Sequence, residues 1–388
     1  MRLAVVASHP VQYYAPLFRE LARRVDLTVF YGHAATAQDQ AQAGFGVGFS
    51  WDVDLLSGYR SEFLTNVATR PGLSHFRGVD TPEIRWRLRT GNFDALMLMG
   101  WNLKCFLQAL FHAKVIGLPV MVRGDSHLET PRSALKTAIK RMLYPHFMRQ
   151  FDVALVVGTR NRAYWAHYGY PAARMFDAPH CVDNAFFASR ATPEARAALR
   201  GRLGIAPDTR VVLFAGKLVP FKRPLDLVQA VAHVRSQKID LHILVAGAGP
   251  LENDMRARAE DLGVPLHCLG FCNQSAMPAA YAAADLLVLS SNGQETWGLV
   301  VNEALACGTP ALVSDAVGCA PDVAEVLGAQ VIFPLADVAE LAARMADALD
   351  DPPHRSVIVR AAERFSIRAA VEGIVKALVK SDYLRGRR

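Results

Sequence analysis

The six cysteines of this 388-residue chain stand at 105, 181, 268, 272, 307 and 319, and none forms a CxxC pair. That spacing predicts neither a zinc site nor a disulfide framework, so a reducing cytosol is the expected compartment. The apolar opening, residues 1–7, is too short for a signal peptide or a membrane span and reads as a first buried strand. There is no internal repeat, low-complexity run, zinc finger or RNA-binding aromatic signature, which argues against a nucleic-acid partner. Acidic residues are scarce in one half. Residues 1–180 hold 21 Lys plus Arg against 13 Asp plus Glu, a net +8, whereas the whole chain is +7 and the remainder therefore −1. Such a basic half suits an anionic partner, a phosphorylated acceptor or an acidic membrane surface.

What is present is a strand–helix rhythm, given twice. Short apolar runs over 3–7, 27–31, 95–99, 119–122 and 153–157 read as strands, with helical segments over 16–24, 103–116 and 133–148. A second series follows at 211–215, 242–246, 266–269, 286–289 and 311–313. Alternation of this kind predicts parallel sheets with helices on both faces, so the expected fold is α/β with two doubly wound, Rossmann-like domains facing across a cleft. The expected division is a first domain over 1–182, a polar linker over 183–207, a second domain over 208–365 and a closing helix over 366–388.

The run Gln294 to Pro310 carries the densest chemistry. It places Glu295 in a loop at the carboxyl end of a strand, Thr296 as a candidate N-cap, and Glu303 inside an otherwise apolar helix that stops at Gly308-Thr309-Pro310. Free amides at such a helix N-terminus attract anions, and this sheet edge is where ligands bind in open α/β folds. Lys217 and Lys222 lie on the glycine-started loop Gly216 to Pro224, and a basic pair there can hold a diphosphate and stabilise the charge of a departing phosphate. Gly247-Ala248-Gly249-Pro250 forms a tight turn without the third glycine of a dinucleotide fingerprint, which disfavours a dehydrogenase.

The spacing of Glu295 and Glu303, the Trp297-Gly298 pair and the Gly-x-Pro exit together resemble the paired-glutamate signature of family 4 retaining glycosyltransferases, the group 1 type with GT-B architecture. The resemblance implies that Glu303 accepts hydrogen bonds from ribose hydroxyls and Glu295 contacts the donor sugar. It assigns the diphosphate to Lys217, Lys222 and the amides near Trp297, Gly298 and Leu299, with Gly216, Gly247, Gly249 and Phe271 beside the nucleotide, although by itself Phe271 reads first as a core aromatic. Many members carry a glycine-rich loop after the first strand. Here that place is taken by Ser8 to Tyr14, leaving His9 and Gln12 as substitutes by position. Arg123, Asp125 and His127 stand near the place of the family's histidine–aspartate pair, and Asp125 and His127 join Glu295 and the lysines as candidate catalytic residues.

These readings predict a metal-independent, retaining transfer of a hexose-type sugar from a nucleoside-diphosphate donor to a hydroxyl of a glycan, lipid-linked or other acceptor, without a cofactor. UDP is the commoner expectation for the base, with GDP next. A glycoside hydrolase, which also uses two carboxylates, and a non-catalytic nucleotide-sugar-binding protein are the alternatives. Asp52-Val53-Asp54 has the form of a metal-binding pair but lacks a supporting ligand, and reads as structural or acceptor-side. Lys136, Lys140, Arg141 and Arg149 punctuate an amphipathic helix that reads either as a packed domain helix or as a peripheral contact with an anionic membrane, at the inner face in a cytoplasmic protein.

Overall fold

A computed structural model describes residues 1–40 and 47–385. Two parallel sheets organise it. The first comprises β1 (Arg2–Ala7), β2 (Asp26–Tyr31), β3 (Arg60–Phe63), β4 (Ala95–Leu98), β5 (Val120–Gly124), β6 (Val153–Val156) and β7 (Met175–Asp177), in the order β3-β2-β1-β4-β5-β6-β7. The second comprises β8 (Arg210–Ala215), β9 (Leu241–Ala246), β10 (Leu266–Cys268), β11 (Leu286–Leu289), β12 (Ala311–Ser314) and β13 (Ile332–Phe333), in the order β10-β9-β8-β11-β12-β13.

Side chains alternate across each strand, so Leu3, Val5 and Ala7 enter one core of the first domain while Ala4 and Val6 enter the other. Burial on both faces is why these strands read as unbroken apolar runs. The strands that the apolar pattern does not announce are the edges. β3, with the sequence Arg-Ser-Glu-Phe, is partly exposed, and β7 and β13 have three and two residues. An edge strand buries less surface and needs less apolar sequence.

The expected linker 183–207 carries two helices, Asn184–Arg190 and Pro193–Arg202, packed against Leu299–Cys307 and Met277–Ala283 of the second domain. Its polar residues cap these helices: the Asp183 and Thr192 side chains accept from the amides of Phe186 and Ala195, and Pro193 occupies the first turn, where no amide donor is needed. Past residue 366 the chain returns to the first domain. The helix Ile367–Arg385 buries Ala370, Val371, Ile374, Ala377 and Leu378 in the first-domain core, and residues 386–388 of the expected closing helix lie outside the described residues. Among the described residues no helix is long and apolar enough to cross a membrane.

Strand order reverses between β1 and β4 in one sheet and between β8 and β11 in the other. Such switch points open a crevice at the carboxyl ends of the strands. Lys217 and Lys222 follow β8, and Glu295 follows β11.

Candidate active site between the two sheets

A cavity of about 320 Å³ lies between the domains, walled on the second-domain side by Gly216, Lys217, Lys222, Gly247, Phe271, Glu295, Thr296, Trp297, Gly298, Leu299 and Glu303, and on the first-domain side by Gln12, Tyr13, Trp51, Asp125 and His180. The loops that form it approach closely. A Cβ on Gly247 would fall 1.8 Å from the Gly216 carbonyl oxygen, so only glycine fits there. The helix that carries Glu303 begins at Leu299 rather than after Thr296, because Gly298, at φ 98°, makes the turn into it. Its first amides, which have no partner within the helix, belong to residues that line the cavity.

The two glutamates have different surroundings. Glu295 is ion-paired with the ammonium of Lys222, itself only 8% exposed, and accepts from the Ser291 hydroxyl at 3.1 Å. Burial and the neighbouring Lys222 push the Lys217 ammonium down, and Glu295 opposes them. Glu303 accepts from the Tyr281 hydroxyl at 2.6 Å, and burial pushes its carboxyl up to about 7 against that hydrogen bond. One carboxylate is therefore neutralised by a cation at the switch point, and the other is poised to gain or lose a proton near neutrality.

Across the cleft, the Thr296 hydroxyl donates to Asp125 at 2.7 Å, and His180 Nε2 stands 3.8 Å from the same carboxylate. Burial raises the Asp125 carboxyl, but His180 and Thr296 outweigh it and hold the group below the usual carboxylate range. Burial lowers the His180 imidazole, whose ring lies 5.5 Å from that of Trp297 and makes no hydrogen bond through either nitrogen. The Trp297 indole donates to Asn302 at 3.0 Å, and the Asn302 amide donates to the His180 carbonyl at 2.9 Å. Trp297 is thus a packing element between the domains as well as a wall of the cavity.

Other expected residues fall elsewhere. Gly249 is not among the cavity residues, although its neighbour Gly247 is. His127 is fully buried and paired with Glu129 at 2.8 Å, away from the opening, because the chain turns inward after Asp125. His9 lies outside the cavity walls. It bonds Ser8 at 2.9 Å, and burial, aided by His33, pushes its imidazole down to about 4. Arg123 lines a neighbouring cavity of about 270 Å³ with Tyr14, Trp101 and Asn102, which shares Asp125 and His180 with the first. There its guanidinium donates to the Pro179 carbonyl at 2.9 Å and lies over the Tyr14 ring, while Nε and Nη1 have no hydrogen-bond partner.

Asp52 binds the Ser275 backbone amide at 3.2 Å and also the Ser275 hydroxyl, and Asp54 accepts from the amides of Leu56 and Ser57, which makes this pair structural. Among the described residues no three His, Cys, Asp or Glu side chains gather as a metal site would require. Tyr13, Trp51, His180, Gln274 and Ser291 escaped the sequence reading. Only His180, beside Pro179 after β7, had a local signal, and the short strand before it was itself not legible.

Residues 195–365 match the family model of glycosyl transferases group 1. A segment of 174 residues is 31% identical to the GDP-mannose-dependent monoacylated alpha-(1-6)-phosphatidylinositol monomannoside mannosyltransferase of Corynebacterium glutamicum, covering 43% of this chain and 45% of that protein. A longer segment, 257 residues, is 28% identical to the D-inositol 3-phosphate glycosyltransferase of Pseudarthrobacter chlorophenolicus, covering 63% and 60%. The matched segments thus span about half the length of these relatives. The whole fold superposes on HepE of Anabaena in complex with UDP, with a TM-score of 0.72 over 98% of this chain and 100% of that one, at 17% identity.

Proposed function

We infer the activity from the premise that this chain belongs to the group 1 glycosyltransferases through the domain at 195–365 and has the two-domain GT-B fold: it transfers a sugar, with retention of configuration, from a nucleoside-diphosphate donor to an acceptor hydroxyl. The observation that carries this is the buried Lys222–Glu295 pair at the β8/β11 switch point, facing Asp125 across the cleft. In this reading the donor diphosphate takes a share of the Lys222 charge, with Lys217 and the amides of Leu299 and Val300 beside it. Glu295, partly released, accepts from hydroxyls of the sugar.

The bond from the anomeric carbon to the phosphate oxygen breaks as the bond to the acceptor oxygen forms on the same face, and the acceptor proton passes to the leaving phosphate. Lysines supply the charge stabilisation, so activity is expected to persist in EDTA. Asp125, held ionised, orients the acceptor hydroxyl from the smaller cavity, where Tyr14 and Trp101 offer rings and Asn102 an amide. GDP-mannose is named for the Corynebacterium relative and UDP for the Anabaena structure, so the test is donor hydrolysis and thermal shift against UDP-, GDP-, dTDP- and ADP-sugars in EDTA. A bound donor raises apparent stability by mass action. One base giving both a shift and slow sugar release supports the reading, and silence across the panel contradicts it.

Glu303 gives this reading a pH signature. Its carboxyl stands above the ordinary carboxylate value, so the native state holds an extra proton up to about pH 7, and this group's contribution to stability falls as pH rises from the unfolded value toward 7. If ribose hydroxyls donate to the ionised form, binding below that pH must also pay for losing the proton. Nucleotide-sugar affinity, measured calorimetrically, should rise by about tenfold between pH 6 and pH 8 and then level off. The slope should vanish in Glu303→Gln; a flat profile in the unmodified chain removes the ribose assignment.

We also propose that the acceptor lies at an anionic lipid surface. The helix Ala134–Met148 leaves Leu135, Ile139, Met142 and Leu143 at 71, 46, 67 and 52% exposure, spaced as one helical stripe, while Lys140 reaches back to the Tyr164 hydroxyl at 3.4 Å. Its apolar stripe is thus unpartnered, and exposed Lys136, Arg141 and Arg149 stand on the same segment. Such a face suits insertion at a charged interface. The chain is expected to co-sediment with vesicles rich in anionic phospholipid and not with neutral ones, and reversing Lys136, Arg141 and Arg149 to Glu should abolish pelleting. No pelleting of the unmodified chain ends this part of the reading.

A further inference from the structure

Among the described residues three Lys or Arg side chains are deeply buried: Arg123 at 2% exposure, Arg200 at 3% and Lys222 at 8%. Two of them have a carboxylate, since Arg200 pairs with Asp285 at 2.9 Å and Lys222 pairs with Glu295. Arg123 has none. Its Nη2 donates to the neutral Pro179 carbonyl, its guanidinium lies 5.8 Å from the centre of the Tyr14 ring, and Nε and Nη1 have no hydrogen-bond partner. A charge withdrawn from water is costly unless an opposite charge or hydrogen bonds replace the water. Arg123 lines the smaller cavity of about 270 Å³ together with Asp125 and His180. Asp125 does not supply the missing charge, because Thr296 at 2.7 Å and His180 at 3.8 Å engage its carboxylate. The His180 ring nitrogens are themselves unpartnered.

We propose that the acceptor is an acidic saccharide, whose carboxylate or phosphate occupies the Arg123 end of this cavity while its accepting hydroxyl lies at the Asp125 end. The proposal rests on the acceptor reading above and names the chemistry of that substrate. A guanidinium fork matches either anion. Asp125 repels an anion placed beside it, so the two ends sort the acceptor by charge. Two residues of chain separate them, at most about 7 Å of backbone, so the anionic group and the accepting hydroxyl lie close together on the acceptor. The rest of the cavity suits a sugar. Trp101, backed edge-on by Trp165 at 5.6 Å and pressed against Gly124, where a Cβ would fall 2.6 Å from its ring, offers an apolar wall, and Asn102 offers an amide for a hydroxyl.

The test is calorimetric titration of the full chain with glucuronate, glucose 6-phosphate and glucose at matched ionic strength. The preferred nucleoside diphosphate is present at saturation, so that Lys217 and Lys222 are occupied. At least one of the two acids should bind about 10- to 100-fold tighter than glucose, the scale of a charge-assisted contact, and the tighter one identifies the anion as carboxylate or phosphate. Arg123→Met should abolish the preference, leave nucleoside diphosphate affinity unchanged, and melt no lower than the unmodified chain, because it removes an uncompensated charge. Arg123→Lys, which keeps the charge, should retain most of the preference. Acids bound no better than glucose by the unmodified chain overturn the proposal, as does a preference that survives in Arg123→Met. A melting point that falls in Arg123→Met makes the arginine structural and also counts against it. Absence of nucleotide binding by the unmodified chain is a different failure: it removes the donor reading itself and the acceptor site with it.

Discussion

Lys222→Ala is expected to lower the turnover number by about 10²- to 10³-fold, the scale for losing one preorganised group aimed at charge that develops in the transition state. Its ammonium is almost wholly buried, so its field is poorly screened, and Gly216 lies directly against its stem. The loss should fall on kcat more than on donor KM, because the phosphate carries more negative charge when leaving than when bound. The substitution also leaves Glu295 without its cation in a closed site. Lys222→Ala is therefore best measured together with Glu295→Gln and Lys222→Ala/Glu295→Gln: if the charge on the leaving phosphate matters, the double variant regains stability over Lys222→Ala but turns over far more slowly than Glu295→Gln alone. Turnover within fivefold of the unmodified chain in Lys222→Ala would remove this lysine from the chemistry.

Glu295→Ala separates the sugar from the nucleotide. Charge-assisted hydrogen bonds to the sugar contribute about 1.5 to 3 kcal/mol each, so kcat/KM for the nucleotide sugar should fall by about 10- to 100-fold. Affinity for the free nucleoside diphosphate should hold or tighten, because Lys222 no longer has a competing carboxylate and Ser291 has lost only a hydrogen bond. Equal weakening of diphosphate and donor would place Glu295 at the phosphate instead.

The two sheets were legible because their inner strands are buried on both faces, which leaves apolar runs such as Leu286 to Leu289 no alternative reading. The segment 183–207 misleads for a physical reason: Asp183, Thr192 and Pro193, which look like linker residues, are the residues that start helices. Within the site, Lys217, Lys222, Glu295 and Glu303 declared themselves because each follows a recognisable strand or sits in a recognisable helix. Trp51 and His180 did not. Trp51 enters the cavity only because Asp52 and Ser50 tie its loop to Ser275 and Asn273, more than two hundred residues away. His180 follows an edge strand of three residues. Asp125 was found by position, but its ionisation depends on Thr296 and His180, partners no local pattern announces.

The most direct test of the account is a proton NMR time course of the chain with its preferred α-linked nucleotide sugar in EDTA, following the anomeric signal of the first sugar product formed. The account predicts accumulation of the nucleoside diphosphate together with a product that is α at the earliest times, and no such signal in Lys222→Ala over the same period. A β product formed first would contradict retention. An unchanged donor, with metal and acceptor panels supplied, would contradict sugar transfer itself.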